Sequence, residues 1–402
     1  GLPQFPDGKF LKPIDLNILE QHMRESISNN FNDGRILSNA RTAHITEGTK
    51  PGLGRVTCQY RNRCIRGCPY GAYFSSNSST LPAAEATGNM TLMPNSIVHE
   101  IIYDEDKKRA TGVRVIDSVN NKSYEYYAKV IFLCSSTVGS TSILMQSKSN
   151  RFPNGMGNDS GELGHNIMDH HFQVGASGTY KGFKNKTTYG RKPAGFYIPR
   201  FRNIGGITDR KDYIRGYQYQ GGANRGFMSV SDSAEELISY GPRFKENIVK
   251  RDEWTASMNG FGEILPYHDN KMSLNYEIKD KWGLPTVTFD AKIRENEITM
   301  RKDMKIQAEE MLERAGFEDV SGWESKYIFG NGIHEMGTAR MGRDPKTSVL
   351  NGNNQIHEVK NVYVTDGSCM TSAGNQNPSI TYMALTARAV SHAVEELKKL
   401  NI

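Results

Sequence analysis

One histidine near the C-terminus lies where a proton-transfer group could work on a bound molecule. His334 stands between Gly332 and Gly337, and glycines let the backbone approach a bound group closely. Histidine is the side chain best suited to accept a proton near neutral pH. A structural or solvated role is the usual alternative for a single histidine, but the glycine-rich surroundings favour a general base.

A second polar pair lies closer to the C-terminus. Asn377 and Pro378 predict the start of a helix, with Asn377 as the N-cap and Pro378 as the first helical residue. A helix N-terminus offers free N–H groups and a partial positive charge, so it stabilises an anion. A reduced flavin is such an anion. If the bound group were a flavin, this helix end would face the N1–C2=O edge of its isoalloxazine ring, with the Asn377 side chain on the substrate side.

Three of the five cysteines, Cys58, Cys64 and Cys68, lie within eleven residues. In a chain of this size, such close spacing indicates a metal or redox site more than a disulfide framework. The spacing is not the Cys-x2-Cys pairing of zinc ribbons, whereas three thiolates followed by Pro69 suit an iron–sulfur cluster with three protein ligands. A disulfide with one free thiol, and a zinc site, remain as alternatives.

The elements that would position these residues belong to an α/β fold. Residues 129–134 are a short apolar run followed by a helix at 141–146, as where a buried strand passes into a helix at the edge of a dinucleotide-binding sheet. Residues 361–366 predict another strand. A helix over 379–397 follows, and its apolar positions form a stripe that we expect to be buried; they are Ile380, Met383, Ala384, Ala387, Val390, Val394 and Leu397.

The remaining segments predict a mixture of strands and helices. Residues 14–31 predict one helix. The middle of the chain, residues 166–325, alternates short β-like runs with helices and is typical of an α+β domain; its clearest helix covers 293–315 and ends at Gly316. The net charge of +6 comes without a block of basic residues, which argues against nucleic acid as a partner. No run of 18 apolar residues is present, so the sequence predicts no transmembrane helix.

Three motifs of the C-terminal part together resemble a family signature. The pattern H-x-x-G-T-x-R-M-G begins at His334, V-x-D-x-S begins at Val364, and the final N-P is at 377–378. This combination resembles the C-terminal signature of glucose-methanol-choline (GMC) oxidoreductases. The resemblance implies that His334 is the active-site base and that Asn377 is its catalytic partner. It also implies an FAD cofactor, approached by Asp366, Gly367, Asn377 and Pro378.

The resemblance extends upstream through most of the chain. Residues 89–117 are similar to strands that lie near the adenine of FAD in the family, which implies a contact for Val98, and residues 130–144 are similar to a further family segment. Residues 164–170 resemble the family motif G-x-N-L-x-D-H. That similarity explains Asp169 and His170 as a packing motif at the start of the substrate domain rather than as part of a metal cluster with His165 and His171.

The implied organisation has three parts. Residues 1–165 would form an FAD-domain portion with a cysteine-rich insertion, 166–325 an α+β substrate-binding domain, and 326–402 the C-terminal FAD-domain segment with the catalytic residues. The Rossmann-like FAD domain is incomplete, because no G-x-G-x-x-G turn occurs in the sequence. We expect the parent protein to carry roughly 150–170 further residues upstream.

The cysteine spacing is similar to that of bacterial FAD-dependent glucose dehydrogenase catalytic subunits. This resemblance implies a [3Fe-4S] cluster held by Cys58, Cys64 and Cys68, which would pass electrons one at a time to a cytochrome or quinone. It also implies a sugar, glycoside or polyol substrate, a possible small subunit, and a periplasmic or membrane-associated location. A GMC oxidase that produces peroxide is one alternative, and an inactive fragment or a metal or electron-transfer module is another.

Overall fold

The structure is a computed structural model, and it describes residues 8–48, 54–61, 63–187, 195–205, 209–226, 241–242, 244–245 and 252–402. Within these residues, no helix combines the length and the hydrophobicity needed to cross a bilayer. The chain divides into two compact units. The first contains residues 1–91, 173–261 and 298–326, and the second contains residues 92–172, 262–297 and 327–402. The predicted assignment of FAD and substrate domains to consecutive segments stays a prediction.

Helices and strands alternate along much of the chain. The helices include α1 (Ile18–Asn30), α2 (Thr80–Glu85), α3 (Ser136–Gln146), α4 (Glu295–Arg314) and α5 (Ser379–Lys398). The strands are β1 (Ser38–Asn39), β2 (Ser96–Asp104), β3 (Arg109–Asp117), β4 (Ser123–Tyr127), β5 (Ile131–Leu133), β6 (His170–Tyr180), β7 (Phe196–Ile198), β8 (Tyr217–Asn224), β9 (Trp254–Glu263), β10 (Lys271–Lys279), β11 (Pro285–Asp290), β12 (Glu318–Glu324) and β13 (Val362–Val364).

The first unit is built on a six-stranded sheet in the order β1-β7-β8-β9-β6-β12. Helix α1 begins at a capping box, in which the Asn17 side chain accepts from the backbone of Glu20 and the Glu20 side chain accepts from the backbone of Asn17. The apolar stripes of α1 and α4 belong to the same hydrophobic cluster as the sheet. Gly316 follows α4 with φ of +78°, a conformation that favours glycine, so the predicted end of this helix is confirmed.

A buried carboxylate ties α4 to the sheet of the first unit. Asp303 on α4 accepts hydrogen bonds from the Tyr213 hydroxyl at 2.7 Å, the Tyr217 hydroxyl at 2.6 Å and Nε of Arg202 at 3.0 Å. Burial opposes ionisation, but these donors together hold the pKa of Asp303 below its usual value. The charge is therefore kept inside the unit by its hydrogen bonds.

The second unit contains β2–β5, α3, β13 and α5, which the sequence placed in the FAD-domain segments, together with β10 and β11, which it placed in the substrate domain. Strands β5 and β13 pair in parallel, with Ile131 opposite Val362, and α3 follows β5 as predicted. Strands β2, β3 and β4 form a separate antiparallel sheet, and β10 and β11 form a hairpin. The apolar side chains of β5, β13 and α3 share one buried cluster, which fixes the ends of these elements relative to one another.

Two expectations about α5 are wrong. The N-cap is Pro378 rather than Asn377, and no side chain caps the helix, although the helix begins at Ser379, the first residue of the predicted range. Most of the predicted stripe is also exposed: Ile380 is 77% exposed, and Met383 and Val390 are exposed as well. The helix packs instead through Ala389 and Ala393, which cluster with Tyr363 of β13, because small side chains permit close contact with an aromatic ring.

Candidate active site

The loop that carries His334 is organised around a buried carboxylate of the same unit. Asp169 is fully buried. It accepts hydrogen bonds from the hydroxyl of Tyr327 (2.8 Å) and from the backbone N–H groups of His170 (2.7 Å), Gly330 (3.1 Å), Gly332 (2.9 Å) and His334 (3.1 Å). These five donors satisfy both oxygens of the buried carboxylate. Asp169 therefore sets the path of the backbone on both sides of His334.

Gly332 is required for this arrangement. A Cβ atom at this position would collide with the carbonyl oxygen of His170 and with the Asp169 carboxylate. The glycine noted in the sequence thus allows the loop to approach Asp169, which is a different partner from the cofactor that the sequence suggested.

The imidazole of His334 contacts that of His170. The two Nδ1 atoms are 2.9 Å apart, and the rings meet edge to face with their centroids 4.8 Å apart. His170 is fully buried, whereas His334 is only partly buried. On its other side, Nε2 of His170 lies 3.4 Å from the carbonyl oxygen of Ala373. His170 therefore connects the H-x-x-G-T-x-R-M-G motif, which begins at His334, to the segment that precedes α5.

The electrostatic surroundings keep both rings neutral near neutral pH. Burial, and next the neighbouring His334 ring, lower the pKa of His170 to about 4. Burial also lowers the pKa of His334, while the Asp169 carboxylate opposes that shift. A neutral imidazole with one unprotonated nitrogen can accept a proton, so the arrangement suits a general base.

The segment after β13 pairs with the H-x-x-G-T-x-R-M-G motif that begins at His334. The backbone N–H groups of Gly337, Ala339 and Met341 donate to the carbonyl oxygens of Gly367, Ser368 and Cys369 at 3.1, 2.9 and 3.0 Å. The structure thus brings the predicted residues Asp366 and Gly367 alongside the chain that follows His334. These residues are more than 20 positions apart in the sequence, and backbone hydrogen bonds join them.

Asp366 and Gly367 are both engaged with the protein itself. The buried Asp366 carboxylate accepts from the Ser140 hydroxyl at 2.5 Å and from the backbone N–H and hydroxyl of Ser368 at 3.0 and 2.6 Å. A Cβ atom on Gly367 would collide with the carbonyl oxygen of Glu335 and come within 2.5 Å of the Thr137 hydroxyl. Their contact with a cofactor stays a prediction, and their role in the structure is to join α3 to the two motifs.

The segment that the sequence predicts to face a flavin has features that fit such a group. Asn375 is 7% exposed, and its Nδ2 has no hydrogen-bond partner among the described residues. Gly374 has φ of +62°, and no atom lies within 4 Å of the position its Cβ would take. A buried donor that lacks an acceptor is costly, and a ring edge with carbonyl groups would supply one. Asn377 is exposed and Pro378 is buried.

Val98 lies apart from this network of hydrogen bonds. It stands on β2 opposite Val115 of β3 and packs against the hydrophobic cluster that contains β5 and β13. Its predicted contact with the adenine of FAD stays a prediction.

The three predicted cysteine ligands lie in the first unit and line one cavity. This cavity has a volume of about 560 Å³, and its walls include Cys58, Cys64, Cys68, His44, Arg61, Arg63 and Arg66. All three thiols are free rather than in a disulfide. Nε2 of the buried His44 lies 3.4 Å from Sγ of Cys64. Within the part of the chain that the structure describes, no three cysteine, histidine or acidic side chains are arranged to hold a metal ion.

The thiols of this cavity differ in acidity. Burial raises the pKa of the Cys64 thiol, and the neighbouring Cys58 and Cys68 thiols raise it further. Burial also opposes ionisation of Cys68, but backbone N–H groups that include that of Tyr73 bring its pKa below the ordinary value. Cys68 is thus the more easily ionised of these two thiols.

Sequence reasoning missed the involvement of Asp169 and His170 in the site. It interpreted the pair as a packing motif, whereas the structure has both residues hydrogen-bonded to the His334 loop. They precede His334 by more than 160 residues, so no local spacing could have connected them. The signals in the sequence were the adjacent Asp169–His170 pair and its resemblance to the G-x-N-L-x-D-H motif.

Known proteins resemble this chain over most of its length. Two family models, both described as GMC oxidoreductase, match residues 34–172 and 266–386. The 2-methyl-1,2-propanediol dehydrogenase of Mycolicibacterium austroafricanum is 27% identical over 353 residues, and the fructose dehydrogenase large subunit of Gluconobacter japonicus is 24% identical over 356 residues. These alignments cover 85% and 87% of this chain, but 61% and 62% of the relatives. The chain therefore spans about three fifths of their length.

A solved structure shows the same fold. The pyridoxine 4-oxidase from Mesorbium loti superposes with a TM-score of 0.55 at 14% sequence identity, covering 94% of this chain and 69% of that protein. Together with the family models, this likeness confirms the predicted α/β class.

Proposed function

Since this chain belongs to the GMC oxidoreductase family, we propose that its protein oxidises a CH–OH group of a sugar, glycoside or polyol with FAD as the cofactor. The observation that carries the proposal is the His170–His334 pair, held by Asp169 next to the segment that leads into α5. Two relatives act on a diol and on fructose by their names, and these names support the proposed chemical class.

His334 is the base of the proposed reaction. The substrate hydroxyl gives its proton to the imidazole, and Asn377 positions the same hydroxyl. Bound FAD supplies the hydride acceptor. The protein would hold the proton on His334, and the N-terminus of α5 and the buried Asn375 amide would stabilise the negative charge that the bound flavin gains. No atom lies within 4 Å of the position that a Cβ of Gly374 would take, so the backbone there would leave room for such a group.

The reducing equivalents are proposed to pass to an acceptor other than O2. The cavity of Cys58, Cys64 and Cys68 supports this proposal, because three free thiols and three arginines line it, although these thiols are not arranged around one metal position in the structure. A [3Fe-4S] cluster is the finer form of the proposal. Iron and acid-labile sulfide in anaerobically purified protein, with an EPR signal lost in Cys64→Ser, would support it; stoichiometric zinc, or no metal, would refute it.

The catalytic proposal is tested on the full-length protein loaded with FAD. Under anaerobic conditions, flavin absorbance is followed after mixing with a vicinal diol, fructose or a glycoside. We expect one of these to bleach the flavin, and we expect His334→Gln to slow that step by about 10²- to 10⁴-fold, the contribution of a general base. Unchanged reduction in His334→Gln would remove His334 from this role.

The alternatives give different results in the same preparation. An oxidase would consume O2 and release peroxide in proportion to substrate, whereas a dehydrogenase would reduce an added quinone or cytochrome faster than O2. A protein that binds no flavin at full length would be an electron-transfer or metal module instead.

A further inference from the structure

We propose that His170 is a positioning residue that keeps the proton of His334 on Nδ1, so that Nε2 of His334 carries the lone pair that accepts the substrate proton. Its catalytic meaning rests on the function proposed above, but the protonation pattern itself does not. The observations are the His170–His334 contact, the Ala373 carbonyl on the far side of His170, and the carboxylate that holds both backbones.

The contact between the two rings requires one proton between the two nitrogens. The Nδ1 atoms of His170 and His334 are 2.9 Å apart, a hydrogen-bond distance that needs one donor and one acceptor. Two protonated nitrogens would repel each other, and two unprotonated nitrogens would oppose their lone pairs. One ring therefore donates from Nδ1 and the other accepts there.

The Ala373 carbonyl determines which ring is the acceptor. A carbonyl oxygen has no proton to give, so the Nε2 atom of His170 that faces it at 3.4 Å must be the donor. A neutral imidazole carries one proton. With that proton on Nε2, the Nδ1 atom of His170 is unprotonated and accepts from Nδ1–H of His334.

Both rings are neutral, which the preceding step requires. His170 is fully buried, and burial lowers its pKa to about 4, so the ring carries a single proton at neutral pH. His334 is partly buried, and its pKa is also lowered. A neutral His334 that donates from Nδ1 has no proton on Nε2, and this nitrogen is then available as the base.

The geometry of the pair is fixed by the backbone rather than by the ring contact alone. Oδ1 of Asp169 accepts from the backbone N–H groups of both His170 and His334, at 2.7 and 3.1 Å. One buried oxygen atom therefore holds the backbones of both residues. Pre-set geometry of this kind is what an orienting group needs, because a base with the wrong tautomer cannot take the proton.

The protonation pattern can be measured without any activity. In the unmutated protein labelled with ¹⁵N in its 10 histidines, long-range ¹H–¹⁵N spectra report a protonated or an unprotonated state for each ring nitrogen, and His334→Gln and His170→Asn assign the two rings. We expect His334 to be protonated on Nδ1 and His170 on Nε2. His334 protonated on Nε2, or a ring that averages between both tautomers, would overturn the proposal.

A matched pair of variants tests the consequence for the reaction. In His170→Asn the amide oxygen can occupy the position of Nδ1 and accept from His334, whereas His170→Gln places its amide near the position of Nε2 and leaves no acceptor for His334. We expect flavin reduction in the FAD-loaded full-length protein to slow by about 10- to 100-fold in His170→Gln, less than the contribution of about 10²- to 10⁴-fold from a general base, because His334 itself is still present. The loss in His170→Asn should be less than about 10-fold.

The two proposals fail in distinguishable ways. Equal losses in the Asn and Gln variants would overturn the positioning role even if His334→Gln is inactive. If instead the expected tautomers are found but His334→Gln reduces flavin normally, the proposed base is wrong while the assignment of protons stands.

Discussion

Replacing Asp169 by asparagine should loosen the His334 loop, although the two side chains have the same shape. The two carboxylate oxygens accept from separate groups of donors: Oδ1 from the backbone N–H of His170 and His334, and Oδ2 from those of Gly330 and Gly332, together with a tyrosine hydroxyl. An amide has only one oxygen. In either orientation, its NH2 group faces two backbone N–H groups, which then lose their acceptor.

The size of the effect follows from this count. A buried donor left without its partner costs about 1–3 kcal/mol, so two such donors cost roughly 2–6 kcal/mol. Since about 1.4 kcal/mol corresponds to a factor of ten in an equilibrium, the lower end of the range opens the loop about 30-fold more often. The loss is local, because the donors lie in residues 330–334 and at His170.

Hydrogen exchange measured by mass spectrometry checks the prediction on peptides covering residues 327–336. We expect protection there to fall by about 30-fold or more in Asp169→Asn. Asp159→Asn is the matched control, because Asp159 pairs with Arg151 at 2.5 Å on the surface, and exposed pairs contribute only about 0–1 kcal/mol. Protection in Asp169→Asn within threefold of the control, a margin of roughly 0.7 kcal/mol, would refute the reasoning.

Other perturbations should have separate effects. Gly332→Ala should lower the free energy of unfolding by about 1–3 kcal/mol, because the added Cβ collides with Asp169. Gly352→Ala, which has open space around the added Cβ, should leave stability unchanged. Calorimetry compares the two variants, and equal melting temperatures would contradict the contact. Asp303→Ala should destabilise the first unit by about 3–5 kcal/mol, seen in its thermal transition, and a loss below about 1 kcal/mol would show that the network is dispensable. Burial and then the His334 ring lower the pKa of His170 from 6.5 to about 4. As the pH falls, the unfolded chain therefore takes up the proton first. The free energy of unfolding should then decrease as the pH falls from 6.5 to 4, by up to about 1.4 kcal/mol per pH unit. Urea titrations of the native protein and His170→Asn measure that slope, which should flatten in the variant.

The helix α5 shows where periodicity predicts an element correctly and its environment wrongly. The 3.6-residue spacing gave both its existence and its end, but Ile380 on the apolar stripe is exposed and Ala389 is buried. Periodicity reports which residues share a face, and it carries no information about which face finds a partner. The position of Asn377 differs by one residue for a similar reason, because a helix end is set by backbone contacts such as the bond from Tyr382 N–H to the Pro378 carbonyl.

The sequence alone determined the elements and the chemistry that each residue type can perform. Local runs of apolar residues specified β5 and β13, helical spacing and Gly316 specified α4, and the glycine-rich motif around His334 marked that histidine as a candidate base. Only the tertiary structure decided which groups meet. Asp169 and His170 reach His334 because the second unit folds residues 92–172 against the tail, and hydrogen bonds between residues so far apart follow from packing rather than from spacing. The proposed placement of the proton on Nδ1 of His334 leaves Nε2 as the nitrogen that acts as the base. This placement is therefore a property of the fold.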